Sequence, residues 1–167
     1  MDADAKKTAL RMIPYGLYVL TTENDSGDVA AATVNWVTQA SFEPPLVAVG
    51  VKVDSGAHSL LQETGYFALN VLGKGQGDAA FAFFKPASKD GDTISGQPYR
   101  KGANGSPILT ELPAFLECKV AEVVQKGDHS VVIGEVVDAG VARAPEGRAD
   151  DVTLWLKDLG DKMYYGG

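Results

Sequence analysis

Few side chains in this sequence are suited to covalent or metal chemistry. His58 and His129 are the only histidines and Cys118 the only cysteine, and their positions fit no metal-ligand spacing. No Ser/His/Asp grouping can be argued from chain order, and no metal site is expected. Binding chemistry is better represented. In "AATVNWVTQASF", Thr33, Asn35, Gln39 and Ser41 alternate with Ala32, Val34, Trp36, Ala40 and Phe42, Thr38 being the polar exception on the second face. Alternate residues of a strand share a face, so one side is apolar and the other carries hydroxyls and amides. A face turned to bulk water ordinarily collects Lys, Glu and Arg. Three readings suit the neutral set: a half-exposed strand, hydrogen bonds inside a barrel, or contacts to a flat polar ligand. Sites of the last kind join apolar walls to a few fixed donors and acceptors.

A second candidate follows in "VKVDSGAHS". A helix beginning at Ser55 or Gly56 points unpaired backbone N–H groups outward, which suits an anion. Lys52 adds charge there, Ser55 a hydroxyl, and His58 lies in the first turn, where it is either solvated or turned to the site. "GKGQGD" (73–78) is not a nucleotide loop: the third glycine of the dinucleotide fingerprint falls on Asp78, and the terminal Gly-Lys-Ser/Thr of a P-loop is missing. "AAFAFF" (79–84) is core packing or presents Phe81 or Phe84 to an aromatic ligand. His129 follows "KGD" at a strand start, where an exposed turn residue is the plain reading.

These residues need elements to position them. "DAKKTALRMI" has helical spacing and stops at Pro14. Strands are expected over 15–23, about 29–41, 46–53 and 66–72, with short helices at 54–65 and 76–85. From Pro86 to Pro113 the chain is rich in Gly, Pro and Ser and reads as a long functional or mobile loop. Segments 114–125 and 129–142 form the strongest strand pair, with Cys118 facing a core, and "VTLWL" and "KMYY" add a last strand or hairpin. Strands joined by hairpin-like turns predict a mainly β domain with a few helices, a closed or partly closed antiparallel barrel. One domain over residues 1–167 is expected, with no linker or repeat.

Composition narrows the function classes. The net charge is −7 and no Lys/Arg block stands out, which argues against a nucleic-acid surface. No stretch approaches the ~20 apolar residues of a membrane span. The N-terminus lacks an apolar signal core, so a cytoplasmic protein handling a small-molecule substrate is expected.

Several segments match one family in order and spacing. "GLYVLTT", "AATVNWVTQASFEPPLVAVGV", "SLLQETGYFALNVL", "GSPILTELPAFLECKV" and "GDHSVVIGEV" resemble the flavin reductase-like domains that bind FMN, from about Tyr15 to Val137, with a weaker echo in "KMYYGG". The segments are similar both to the short reductases and to the flavin reductase modules attached to rubredoxin- or flavodiiron-type electron-transfer proteins. The resemblance implies a split β-barrel with Greek-key connections and a homodimer with flavin in clefts near the subunit interface. It implies that Thr33, Val34, Asn35 and Trp36 line the isoalloxazine, and that Gln39, Ala40 and Ser41 follow the ribityl chain and phosphate. Lys52, Ser55 and His58 then lie near the phosphate, Phe84 near the ring system, and His129 on the nicotinamide side as the catalytic candidate. The cofactor implied is FMN, with FAD as the alternative and NAD(P)H as reductant, and electrons pass to an acceptor or redox partner protein. The rival readings are an electron-transfer flavoprotein without direct NAD(P)H use and a non-enzymatic split-barrel binder. One departure is notable: Gly56 and Ala57 stand where relatives often carry Arg and Thr.

Overall fold

A computed structural model describes residues 1–167. A helix, α1 (Ala3–Arg11), is capped by Asp2, whose carboxylate accepts from the Asp4 and Ala5 amides, and none of its residues is buried. Then come β1 (Tyr18–Glu23), β2 (Val29–Val34), β3 (Val37–Ser41) and β4 (Leu46–Lys52). Helix α2 (Gly56–Thr64), β5 (Tyr66–Val71) and helix α3 (Gly77–Ala82) follow. The short strands β6 (Lys89–Asp90), β7 (Thr93–Ile94), β8 (Gln97–Lys101) and β9 (Pro107–Leu109) lead to the long pair β10 (Ala114–Gln125) and β11 (His129–Val141). Two 3-10 turns, Ala149–Val152 and Leu156–Leu159, precede the C-terminus.

Seven strands form one antiparallel sheet in the order β2-β1-β5-β10-β11-β4-β3. β2 and β3 are adjacent in sequence yet lie at opposite edges, so the sheet curls back on itself without its edges pairing. The result is a split barrel with Greek-key connections. The expected single strand over 29–41 is therefore two strands. The chain changes partner at Asn35–Trp36: β2 pairs with β1, and Trp36 O then accepts from Gly50 N of β4 at 2.8 Å. The expected alternation of faces fails beyond that point, and Phe42 is 89% exposed.

Helix α2 plugs one open end of the barrel. Ala57 and Leu61 join Leu20, Val34, Val47, Val49, Val51, Phe67, Leu69, Cys118 and Val132 in the interior cluster. The helix ends at Gly65, whose φ of 70° is the left-handed conformation that a Cβ disfavours. A second cluster lies on the other face of β1, where Val19, Leu17 and Ala31 meet Leu72, Phe83, Ile94, Leu109 and Leu156.

The expected loop over 86–113 is instead a packed four-stranded sheet, β6-β7-β8-β9, with Ile94, Ile108 and Leu109 buried. Buried Asn70 fastens it. The Asn70 side-chain amide donates to Val19 O and Thr21 Oγ1, and its oxygen accepts from Leu109 N. Nor does the C-terminal segment add a full strand. It makes only isolated bridges, Gly16 with Trp155 and Gly73 with Thr153, before an irregular tail. No helix is long and apolar enough to cross a membrane.

Candidate functional site

A cavity of about 430 Å³ opens where β2 ends, beside the C-terminal end of β4, the start of α2 and the start of β11. That volume lies within the ~300–1,000 Å³ usual for small-molecule sites. Of the expected residues, Thr33, Val34, Asn35, Lys52, Ser55, Phe84 and His129 line it together. The antiparallel register explains the meeting of two distant segments, since His129 pairs with Lys52 across β11 and β4.

Each side chain has a defined task. The Thr33 hydroxyl donates to Ala80 O at 2.7 Å, and its amide donates to Phe83 O. Thr33 therefore fastens α3 to β2, and this holds half-exposed Phe84 at the cavity wall. Asn35 is 5% exposed, and its amide donates to Tyr165 O at 3.2 Å, which leaves its oxygen as an acceptor. The Trp36 ring lies across Gly50: a Cβ there would come within 2.9 Å of it. Its other side meets His129, with ring centroids 4.5 Å apart. Trp36 itself does not line the cavity but lies behind Gly50 and His129, which do; its Nε1 is buried without a hydrogen-bond partner.

Ser55 caps α2, accepting from His58 N and donating to Lys52 O. The first-turn amides that follow it have no intrahelical acceptor, and a Cβ built on Gly56 meets nothing within 4 Å. Lys52 is tied to Asp54 at 3.1 Å, and that hydrogen bond first, with the Asp54 charge, holds its ammonium above the usual lysine value.

The Asp128 carboxylate accepts from His129 Nδ1 at 2.9 Å, and this bond holds its carboxyl below the ordinary range. On the other side of the imidazole, Nε2 lies 2.8 Å from the Tyr165 hydroxyl. Burial raises the Tyr165 hydroxyl above its usual value, the neighbouring Asp128 and Asp54 charges adding to the rise and Lys52 opposing it.

Some expected residues lie elsewhere. His58 is 7% exposed and faces the interior, its Nε2 hydrogen-bonded with Ser130 at 2.8 Å. It is neither solvated nor in the cavity wall, because the helical turn that exposes Ser55 rotates it inward. Gln39 and Ala40 are exposed and Ser41 half-buried on edge strand β3, away from the cavity of their own chain. Tyr165 was not anticipated as a site residue. A faint "KMYYGG" similarity is its only trace in the sequence, since nothing local predicts that a tail returns to β11.

The fold is a split barrel whose cavity joins apolar walls to a few fixed polar groups. Residues 10–160 match the family described as flavin reductase-like domain, and the chain belongs to that family. It is 38% identical over 146 residues to diflavin flavoprotein A 1 of Synechocystis, covering 86% of this chain and 25% of that protein. It is 35% identical over 136 residues to a flavin reductase of Pseudomonas putida, covering 81% and 78% of the two chains. Among solved structures, the styrene monooxygenase flavin reductase of Pseudomonas putida S12 superposes with a TM-score of 0.70 at 31% identity, covering 84% and 87%. The chain thus spans only a quarter of the Synechocystis relative but most of the Pseudomonas reductases.

Proposed function

We propose that this chain is an NAD(P)H-dependent flavin reductase module, holding FMN in the 430 Å³ cavity and releasing electrons to an acceptor or partner flavoprotein. The observation that carries this reading is the convergence of Asn35, the Ser55-capped helix start and His129 on one cavity. Flavin supplies the hydride chemistry when bound, accepting at its ring what nicotinamide gives up. The residues present fit such a group. Asn35 offers a fixed carbonyl oxygen and Phe84 an apolar wall, and Trp36 backs His129 from behind the cavity. The first-turn α2 amides suit the phosphate, with Ser55 fixing the helix start from which they point.

What the chain itself does is orient and shield. Phe84 and Tyr165 remove water from the ring edge, and His129 faces the remaining opening, where nicotinamide approaches. No side-chain nucleophile is needed. Because Lys52 is paired with Asp54, the helix start holds the phosphate mainly through backbone amides. FMN fits that single anion site; FAD requires room beyond it.

A homodimer belongs to the same reading. Phe42 beside edge strand β3, with Val131, Val137 and Val141 of β11, leaves apolar side chains exposed. A second copy covering them would bring Gln39, Ala40 and Ser41 to the neighbouring cleft, where they act on the ribityl chain and phosphate. A cytoplasmic location and a single functional domain go with this assignment.

Anaerobic mixing of FMN-loaded protein with NADH or NADPH tests it. A reductase bleaches the flavin absorbance rapidly with one or both. An electron carrier keeps the flavin oxidised until a protein partner is added, and protein that retains no flavin contradicts the proposal.

A further inference from the structure

His129 is held at both ring nitrogens and by the neighbouring Trp36 ring, and the C-terminal tail supplies part of the hold. Ionised Asp128 can only accept a hydrogen bond, so the proton of the neutral imidazole is on Nδ1, 2.9 Å from Asp128 Oδ1. Nε2 is then an acceptor, and the group facing it at 2.8 Å is the Tyr165 hydroxyl. The Trp36 ring lies against the imidazole at 4.5 Å with a tilt of 57°, and the Tyr165 ring meets it nearly edge-on at 5.8 Å and 77°. The same tyrosine accepts the Asn35 amide on its backbone carbonyl. Tyr165 therefore bridges the start of β11 and the end of β2, two cavity walls that are not neighbours in the sheet.

The tail is itself anchored. Arg11 of α1 stacks over the Tyr164 ring at 4.4 Å, and its Nε lies 3.5 Å from Gly166 O. The charged groups around the Tyr165 hydroxyl are Asp128, Lys52 and Asp54.

From this geometry we infer that Tyr165 is a positioning residue for His129: its hydroxyl fixes the imidazole orientation, and its carbonyl the Asn35 amide, so the C-terminal tail forms part of the working site. The inference rests on reading the cavity as the flavin site, and Tyr165 acts through His129 rather than on substrate. A single hydrogen bond of this kind is worth about 1 kcal/mol. Its loss is expected to lower the rate of flavin reduction about 3- to 10-fold.

The experiment is a double-mutant cycle. Tyr165→Phe, His129→Ala and the double variant are compared in anaerobic single-turnover reduction of bound FMN, with Tyr164→Phe as the matched tail control. Tyr165→Phe is expected to slow reduction with little change in FMN affinity, and to add nothing in the His129→Ala background. Equal slowing in both backgrounds, or a wild-type rate for Tyr165→Phe, overturns the inference. A second readout needs no flavin: the ¹⁵N signal of neutral His129 Nε2 is expected to move downfield in Tyr165→Phe but not in Tyr164→Phe. If the native protein neither keeps nor reduces flavin, the functional reading fails, and this signal alone decides whether Tyr165 holds His129. An unmoved signal overturns the contact.

Discussion

Gly50→Ala is the most revealing small perturbation, because β4 has no room for a side chain where Trp36 crosses it. The added Cβ would come within 2.9 Å of Trp36 Cε3 and 3.1 Å of Trp36 Cβ, against 3.4 Å for ordinary contact. The indole has to retreat by about 0.5 Å. Overpacking costs ~1–3 kcal/mol, and a half-buried ring backed by His129 and Tyr165 belongs near the lower middle of that range, about 1–2 kcal/mol. For a chain of this size each kcal/mol corresponds to a fall in Tm of about 2–4 °C. The functional effect should be as clear as the structural one, since the ring pressed upward is the one that carries His129 at 4.5 Å. Aromatic contacts of this sort contribute ~0.5–1.5 kcal/mol, so FMN affinity should weaken about 2- to 10-fold. Thermal melts and a fluorescence titration with FMN measure both. Gly56→Ala is the control, because a Cβ there meets open space, and replacing a helical glycine gains roughly 0.5–1 kcal/mol. If Gly50→Ala matched the native protein in Tm and FMN affinity, Trp36 would not be tightly seated between β4 and His129, and the account of how His129 is held at the cavity would be wrong.

Three further outcomes follow from particular groups. Gly56→Arg places a guanidinium in open space beside the α2 amides, and FMN should bind about two- to fivefold more tightly, with riboflavin unchanged; equal tightening of both ligands would place the phosphate elsewhere. The Cys118 thiol is fully buried and pushed up to about 12 by desolvation, with the neighbouring Glu117 charge assisting. Native protein at pH 8 should therefore resist thiol reagents until it unfolds. Because the folded state keeps this proton while the unfolded state loses it near 9, Cys118 costs no stability below pH 9, and stability falls as pH rises between 9 and 12. Urea melts of native and Cys118→Ser protein across that range should diverge with rising pH. Asp128 has the opposite sign: its lowered carboxyl contributes above the usual 3.8, and that contribution is lost as pH falls through its depressed value. A ¹³C carboxyl titration should find it returning toward 3.8 in His129→Ala.

The parts of the fold carried by local pattern were readable in the sequence. The β10–β11 pair, the capped α2 and the strand over 46–52 all follow from alternation, caps and turns. Thr33, Asn35 and Ser55 could be nominated because a neutral polar face and a helix start suit a ligand, whereas His129 was marked only by the family resemblance of "GDHSVVIGEV". What failed was decided at long range. The strand over 29–41 breaks because Trp36 finds Gly50, a partner that no local pattern identifies. His58 turned inward because Ser130 waits 2.8 Å from its ring. The segment after Pro86 looks like a loop until Asn70 binds the Leu109 amide. Tyr165 depends on a tail that returns across the molecule.

The central claim is that the end of β2, the start of α2 and the start of β11 enclose one flavin. An NMR-monitored titration with FMN tests it directly. The amide signals of residues 33–36, 55–57 and 129 should move together along one binding curve, while those of residues 115–119, which pair with the far half of β11, stay fixed. If saturating FMN moved none of these groups, or shifted only one of the three, the shared pocket would not be the binding site.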